Sequence, residues 1–329
     1  MDHFLHTIID ITVVDKREAG GASTTMEKMA LKRLLERMMV KLHLSELTTD
    51  ASATIMKLVR DLKALHPNEL MHLVQSLDIW HKSCKLTAKL TAASKVKGCE
   101  NVSHWIEPIR NHFWHCAEMS KGSPELLKDV WIGVIHHVCG EHEWEDGQCT
   151  HGPLTHTEES KPVLEKTSKS AKAIREIVFD RDWLRSLHYY VNFRHTSHLE
   201  SFNAMVLKYA PKRIAFVYEV FIARVQLAAL DHNFHLFRKI LEGRMKKIYS
   251  KRSKNWKLVP LKETKTFGYW GILVGEMLKR RAEDRELITR HIWISPTHPQ
   301  NLAPTIAMRA PPETSELVSA RLSRFQKKK

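Results

Sequence analysis

Three carboxylates, a cluster of imidazoles and thiols, and a run of amines carry the chemistry open to this 329-residue chain. Asp50 closes "LSELTTD" and Asp78 closes "HLVQSLD", each where a strand-like run gives out. Glu200 lies far downstream in "HTSHLESFN". Carboxylates gathered at one sheet edge suit hard divalent cations, Mg2+ or Mn2+, which take oxygen ligands. Two such ions about 4 Å apart activate a water and stabilise a leaving oxygen in phosphoryl transfer. Each acid also has a blander reading: Asp50 as a helix cap, Asp78 as a strand-end turn, Glu200 as the partner of a nearby Arg.

A second group contains His112, His115, Cys116, His136, His137, Cys139, His142, Cys149 and His151. Within it, Cys139-x-x-His142 followed by Cys149-x-His151 has donors for a tetrahedral Zn2+. The competing reading places Cys139 and His136 on the core face of a helix, since free Cys behaves as a small hydrophobe. A third group is basic. From Arg238 to Lys257 there are nine Lys or Arg against one acid, Glu242, and the run includes Lys246, Lys247, Lys251, Arg252 and Lys254. Tyr249 and Trp256 interleave with them. Amines neutralise phosphates while aromatic rings stack on unpaired bases, which points to nucleic acid. A solvated linker, or a nuclear localisation signal at "KRSK", would share this pattern.

Lys and Arg exceed Asp and Glu by 52 − 37 = 15, so a polyanionic partner is expected, nucleic acid before an anionic membrane. Five cysteines, an odd number, and no secretory leader favour a reducing compartment and metal or core roles for the thiols. No uncharged apolar window is long enough for a transmembrane helix.

The elements that must position these residues read as an alternation. A strand is expected over 6–18, a helix over 23–42 opened by a Thr24/Glu27 capping pair, a short strand ending at Asp50, a helix over 52–65, a strand over 71–80 and a helix from 81. Such β–α–β units build parallel sheets whose ligands bind at the carboxyl ends of the strands. Residues 100–200 read as helices around a polar loop, and 215–241 as a long, largely buried helix. The proline-rich segment 281–329 reads as a disordered tail.

"TTDASATIMK", "HLVQSLDIWHKSCKLTAKLTAASKVKGCE", "WIEPIRNHFWHCAE", "NFRHTSHLESFNAMVLKYAPKR" and "ARVQLAALDHN" together resemble the catalytic region of eukaryotic DDE-class cut-and-paste DNA transposases, most closely the Kolobok-like ones. The resemblance spans about residues 5 to 260. It implies an α/β, RNase H-like mixed sheet with an all-helical insertion. It divides the chain into an N-terminal core part (1–98), the insertion (99–185), helices completing the core (186–245), a basic segment (246–280) and the tail. It matches Asp50 to the family's second catalytic Asp, Glu200 to its Glu, and Asp78 with His81 to a supporting D-x-x-H motif, with Lys82 and Lys85 facing phosphate. The strand bearing the first Asp would lie before Met1. The implied protein is therefore an N-terminally truncated, catalytically impaired DNA-binding relic in the nucleus. It would be without membrane contact and would dimerise through the sheet edge left open. The alternative is an active, Mg2+- or Mn2+-dependent nicking or strand-transfer enzyme using Asp50 and Glu200.

Overall fold

The structure, a computed structural model, describes residues 1–145, 147–152, 161–250, 254–286, 298–302 and 312–321. Lys251 and Arg252 and most of the expected tail lie outside them. In chain order the elements are α1 (Ser23–Met38), β1 (Glu46–Thr49), α2 (Ala53–Leu65), α3 (Pro67–Leu70), β2 (Val74–Leu77), α4 (Ile79–Ala93) and α5 (Val102–Met119). Then come α6 (Pro124–Ile132), α7 (Val134–His137), β3 (Glu143–Trp144), β4 (Gly147–Gln148), α8 (Lys169–Val178), α9 (Arg181–Arg185) and α10 (Ser197–Tyr209). The chain continues through α11 (Tyr218–His235), β5 (Ile240–Ser250), β6 (Asn255–Lys262), α12 (Gly268–Glu283) and two short helices, Pro299–Leu302 and Thr314–Ala320. The described part is mixed α/β, mostly helical, with three two-stranded sheets. Packing divides the chain into one unit of residues 35–201 and another of 1–34 with 202–329.

In the 35–201 unit, β1 and β2 pair in parallel, from Glu46 opposite Val74 to Thr49 opposite Leu77, joined through α2 and α3. This β–α–β unit and its α4 follow the sequence reading. The helices beyond bury stripes at helical spacing: Ile79, Ser83, Leu86 and Leu90 on α4, and Val102, Trp105, Ile109, Phe113 and Cys116 on α5. Phe113, Trp131, Trp183 and Tyr190 form an aromatic cluster at the centre, with ring centroids 5.0 Å apart for Phe113 and Trp183 and 5.4 Å for Trp131 and Trp183. Fully burying each large apolar side chain stabilises the fold by about 1.5–3 kcal/mol. The insertion is not all-helical: β3 and β4 form a short antiparallel hairpin within it.

The strand expected over 6–18 does not form. Residues 6–15 carry no helix or strand, and side chains of α11 bond part of their backbone. The Asn233 carboxamide accepts from Ile8 N (2.9 Å) and donates to Ile8 O (3.0 Å), and His232 Nε2 donates to His6 O (2.9 Å). A side-chain amide that satisfies both backbone groups removes the need for a ladder. The capping box likewise forms not at Thr24, which lies inside α1, but at Asp15 and Glu18.

Two further expectations change in this unit. The helix expected over 215–241 ends at His235 and buries few residues, leaving Val220, Leu230 and Phe234 exposed. Its remainder enters β5, which pairs with β6 in a long antiparallel hairpin. The pairs Lys246-Lys247 and Ile248-Tyr249 and the run Leu258–Leu261 break any strict alternation, so the strands carry no clear strand period in the sequence. Gly243, at φ 65°, sits at the register shift between Ile240 and Met245. The basic segment and tail also carry order that composition does not suggest, namely α12 and the two short helices.

Candidate metal-binding centres

The acidic centre is built where β1 and β2 end. Asp78 N donates to Thr49 O (3.0 Å), so Asp50 and Asp78 leave the ladder side by side. Asp78 is 2% exposed and caps α4: its Oδ1 accepts from Trp80 N (2.6 Å) and His81 N (3.2 Å). Its Oδ2 accepts from Thr196 N (2.8 Å) and from the Thr196 hydroxyl. Both carboxylate oxygens are thus engaged in holding two elements together.

The second of those elements is the segment 192–196. Ile79 N donates to Arg194 O (3.0 Å), and the Arg194 guanidinium donates to Glu46 Oε2 from Nε (2.9 Å) and Nη2 (2.7 Å). Asn192 and Ser76 donate to the other oxygen of Glu46. Burial pushes the Glu46 carboxyl upward, but the Arg194, Ser76 and Asn192 hydrogen bonds outweigh it and hold the group below its usual range. This clamp delivers the start of α10, and with it Glu200, to the strand ends.

His81 is the point of convergence. Its Nε2 lies 3.3 Å from Asp50 Oδ1 and 4.0 Å from Glu200 Oε1. One donor atom each of Asp50, Asp78 and His81 also fall within 4.8 Å of one another. The Asp50 and Glu200 side chains are 54% and 57% exposed, which leaves room for water on an ion. The blander readings of Asp50 and Glu200 do not hold, since Ser52, not Asp50, is the residue before α2 and Glu200 faces His81 rather than an Arg, whereas Asp78 does turn the chain from β2 into α4. Asp50, Asp78 and His81 thus form one donor group at the strand ends, with Glu200 reaching it through His81.

The His/Cys group differs by one ligand from expectation. The donors that converge are His137, His142, Cys149 and His151, all within 4.8 Å. Cys139 is not among them. It follows His137 by two residues, roughly 200° around a helix, and turns to the core. Burial, then Glu141, pushes its thiol pKa up. The signal for His137 in the sequence is its x4 spacing to His142 across the Gly140 turn. His136 stacks on Trp144 (4.7 Å, 7°), His115 meets the Thr150 hydroxyl (2.8 Å), and half-buried His112 donates to Val130 O (2.9 Å). The five cysteines are all free thiols, with Cys99 and Cys116 in the core.

The basic residues divide. Lys82 does not face outward: its ammonium lies 4.1 Å over the Trp183 ring and donates to Ser186 Oγ (2.6 Å). Burial, with Lys89 and Lys85 adding repulsion, lowers its pKa to about 8. It follows Asp78 by four residues, one helical turn on, so it faces the same core. Lys85 is exposed. On the β5–β6 hairpin, Lys246, Lys247, Lys254 and Lys257 are exposed, and Tyr249 pairs across the strands with the 65% exposed Trp256 (5.5 Å, 65°).

No family model, curated protein or solved structure matches this chain. No helix of the described residues is long and apolar enough to cross a membrane.

Proposed function

We propose that the chain is a transposon-derived, DNA-binding protein of the DDE class whose acidic centre is catalytically impaired. The observation that carries this reading is the convergence of Asp50 and Glu200 on His81 at the ends of β1 and β2. Two carboxylates and an imidazole suit one Mn2+ better than Mg2+, because imidazole is a poor ligand for the harder ion. Asp78 adds little to that set, its oxygens being taken up by Trp80, His81 and Thr196. Two ions acting on one phosphate need more free carboxylates than these. The His/Cys group supplies a separate set of donors, suited to Zn2+. The hairpin amines and the Tyr249–Trp256 pair supply phosphate contacts and a ring surface for bases.

DNA affinity should fall steeply with salt. Replacing Lys246 and Lys247 together with Ala should reduce the slope of log K against log salt by about 2, since each neutralised phosphate adds about 0.9 to it. A flat salt dependence, or no binding at low salt, would refute the reading. The convergence of Asp50 and Glu200 also favours the second reading, an active nickase. Nicking of supercoiled plasmid in Mn2+, lost on Glu200→Gln, would replace the impaired reading with that one.

A further inference from the structure

The geometry points to a structural zinc site made by His137 Nδ1, His142 Nδ1, Cys149 Sγ and His151 Nε2, whose metal latches the β3–β4 hairpin to α7. In a tetrahedron with Zn–N near 2.05 Å and Zn–S near 2.3 Å, neighbouring donors stand about 3.3 Å apart for N and N and about 3.6 Å for N and S. The protein places His151 Nε2 at 3.2 Å from both His142 Nδ1 and His137 Nδ1, and Cys149 Sγ at 3.5 Å from His137 Nδ1. Three edges therefore already have the length that a bound zinc imposes.

The protonation pattern agrees. His151 Nδ1 lies 2.7 Å from the carbonyl of Gly152, and a carbonyl only accepts, so this nitrogen carries the proton. In the neutral ring its Nε2 is then the lone pair, and it lies against two other ring nitrogens. Fixing a tautomer through the far nitrogen is how an outer hydrogen bond orients a metal-binding imidazole. The four groups belong to two pieces of chain. His137 ends α7, while His142, Cys149 and His151 flank the hairpin, with Cys149 N donating to His142 O (2.8 Å).

The hairpin has only two residue pairs, Glu143 with Gln148 and Trp144 with Gly147. So short a ladder does not hold itself in water. Trp144 helps by lying against His136 and in the space left by Gly133 and Gly147, where an added Cβ would come within 3.0–3.1 Å of the ring. The metal supplies the remaining fixation. The ligands also line a cavity of about 880 Å3 with Trp105, Asn111 and Trp144, so the zinc forms part of its wall.

The test is metal analysis of the full chain purified without chelator, with Co2+ substitution read by absorption. About one Zn2+ per chain is expected, and the Co2+ form should show intense tetrahedral d–d bands with a thiolate charge-transfer band. Cys149→Ser should remove that band. His137→Asn should lower zinc content at least tenfold, and Cys139→Ser should leave it unchanged. Asp50→Asn and Glu200→Gln should also leave zinc unchanged, so this inference and the acidic centre succeed or fail separately. If a ligand variant does not fold, the wild-type Co2+ spectrum and the Cys139→Ser content still decide. Zinc-free wild-type protein, an octahedral Co2+ spectrum, or zinc lost with Cys139 would overturn the assignment.

Discussion

Replacing Trp131 with Ala should lower the stability of the 35–201 unit by about 3–5 kcal/mol, the range for deleting a large buried aromatic. Trp131 is 0% exposed, and its ring meets Phe113 and Trp183 at 5.7 and 5.4 Å with His112 stacked at 6.0 Å. Its indole Nε1 donates to Val178 O (3.1 Å), tying α6 to the end of α8. The substitution therefore leaves both a cavity and a buried carbonyl without its donor, and the two costs add. Phe in its place keeps most of the volume and loses only the hydrogen bond, so about 1–3 kcal/mol is expected. Urea unfolding followed by tryptophan fluorescence reads both. Equal costs for Ala and Phe would mean that packing around this ring contributes little.

Asp78→Ala should cost about 2–4 kcal/mol, more than loss of a helix cap alone, which is typically about 1 kcal/mol. The difference comes from Oδ2. A simple cap serves its own helix, whereas this carboxylate also accepts from Thr196 N and the Thr196 hydroxyl, 118 residues away. Deleting it frees the backbone of α4 at its first turn and the segment that carries α10 at once. Thr196→Ala removes only the hydroxyl interaction and should cost less. Asp78→Asn keeps acceptor capacity on one oxygen and should fall between the two. An Asp78→Ala cost no greater than that of an ordinary cap would mean that residues 192–196 are held by Glu46 and Arg194 alone.

Much of the 35–201 unit is legible in the sequence because its information is local. Strand ends with acids, a proline-stopped helix and stripes at helical spacing are read directly from residue order. Placing Asp50 and Asp78 on neighbouring parallel strands needs no more than that. Joining Glu200 to them is beyond local pattern, since no spacing rule spans that distance. What the sequence hides is long-range or two-sided. Residues 6–15 have the composition of a strand, but the backbone of Ile8 is bonded by the Asn233 side chain on α11, which composition does not reveal. Lys82 reads as a surface amine because its sequence neighbours are basic. Its burial follows from Trp183 and Tyr190, more than 100 residues on. A linear motif favours Cys139 over His137 as a metal ligand, whereas helical phase sends the first to the core and the second to the cluster.

The most direct test of the account is Mn2+ binding by calorimetry to the wild-type chain, Asp50→Asn, Glu200→Gln and His81→Ala, with Cys149→Ser as the control for the His/Cys group. Binding at one site that each of the first three substitutions weakens at least tenfold, and that Cys149→Ser leaves unchanged, is the predicted result. Absence of Mn2+ binding to the wild type, or binding indifferent to Asp50 and Glu200, would contradict the claim that these acids form a cation centre.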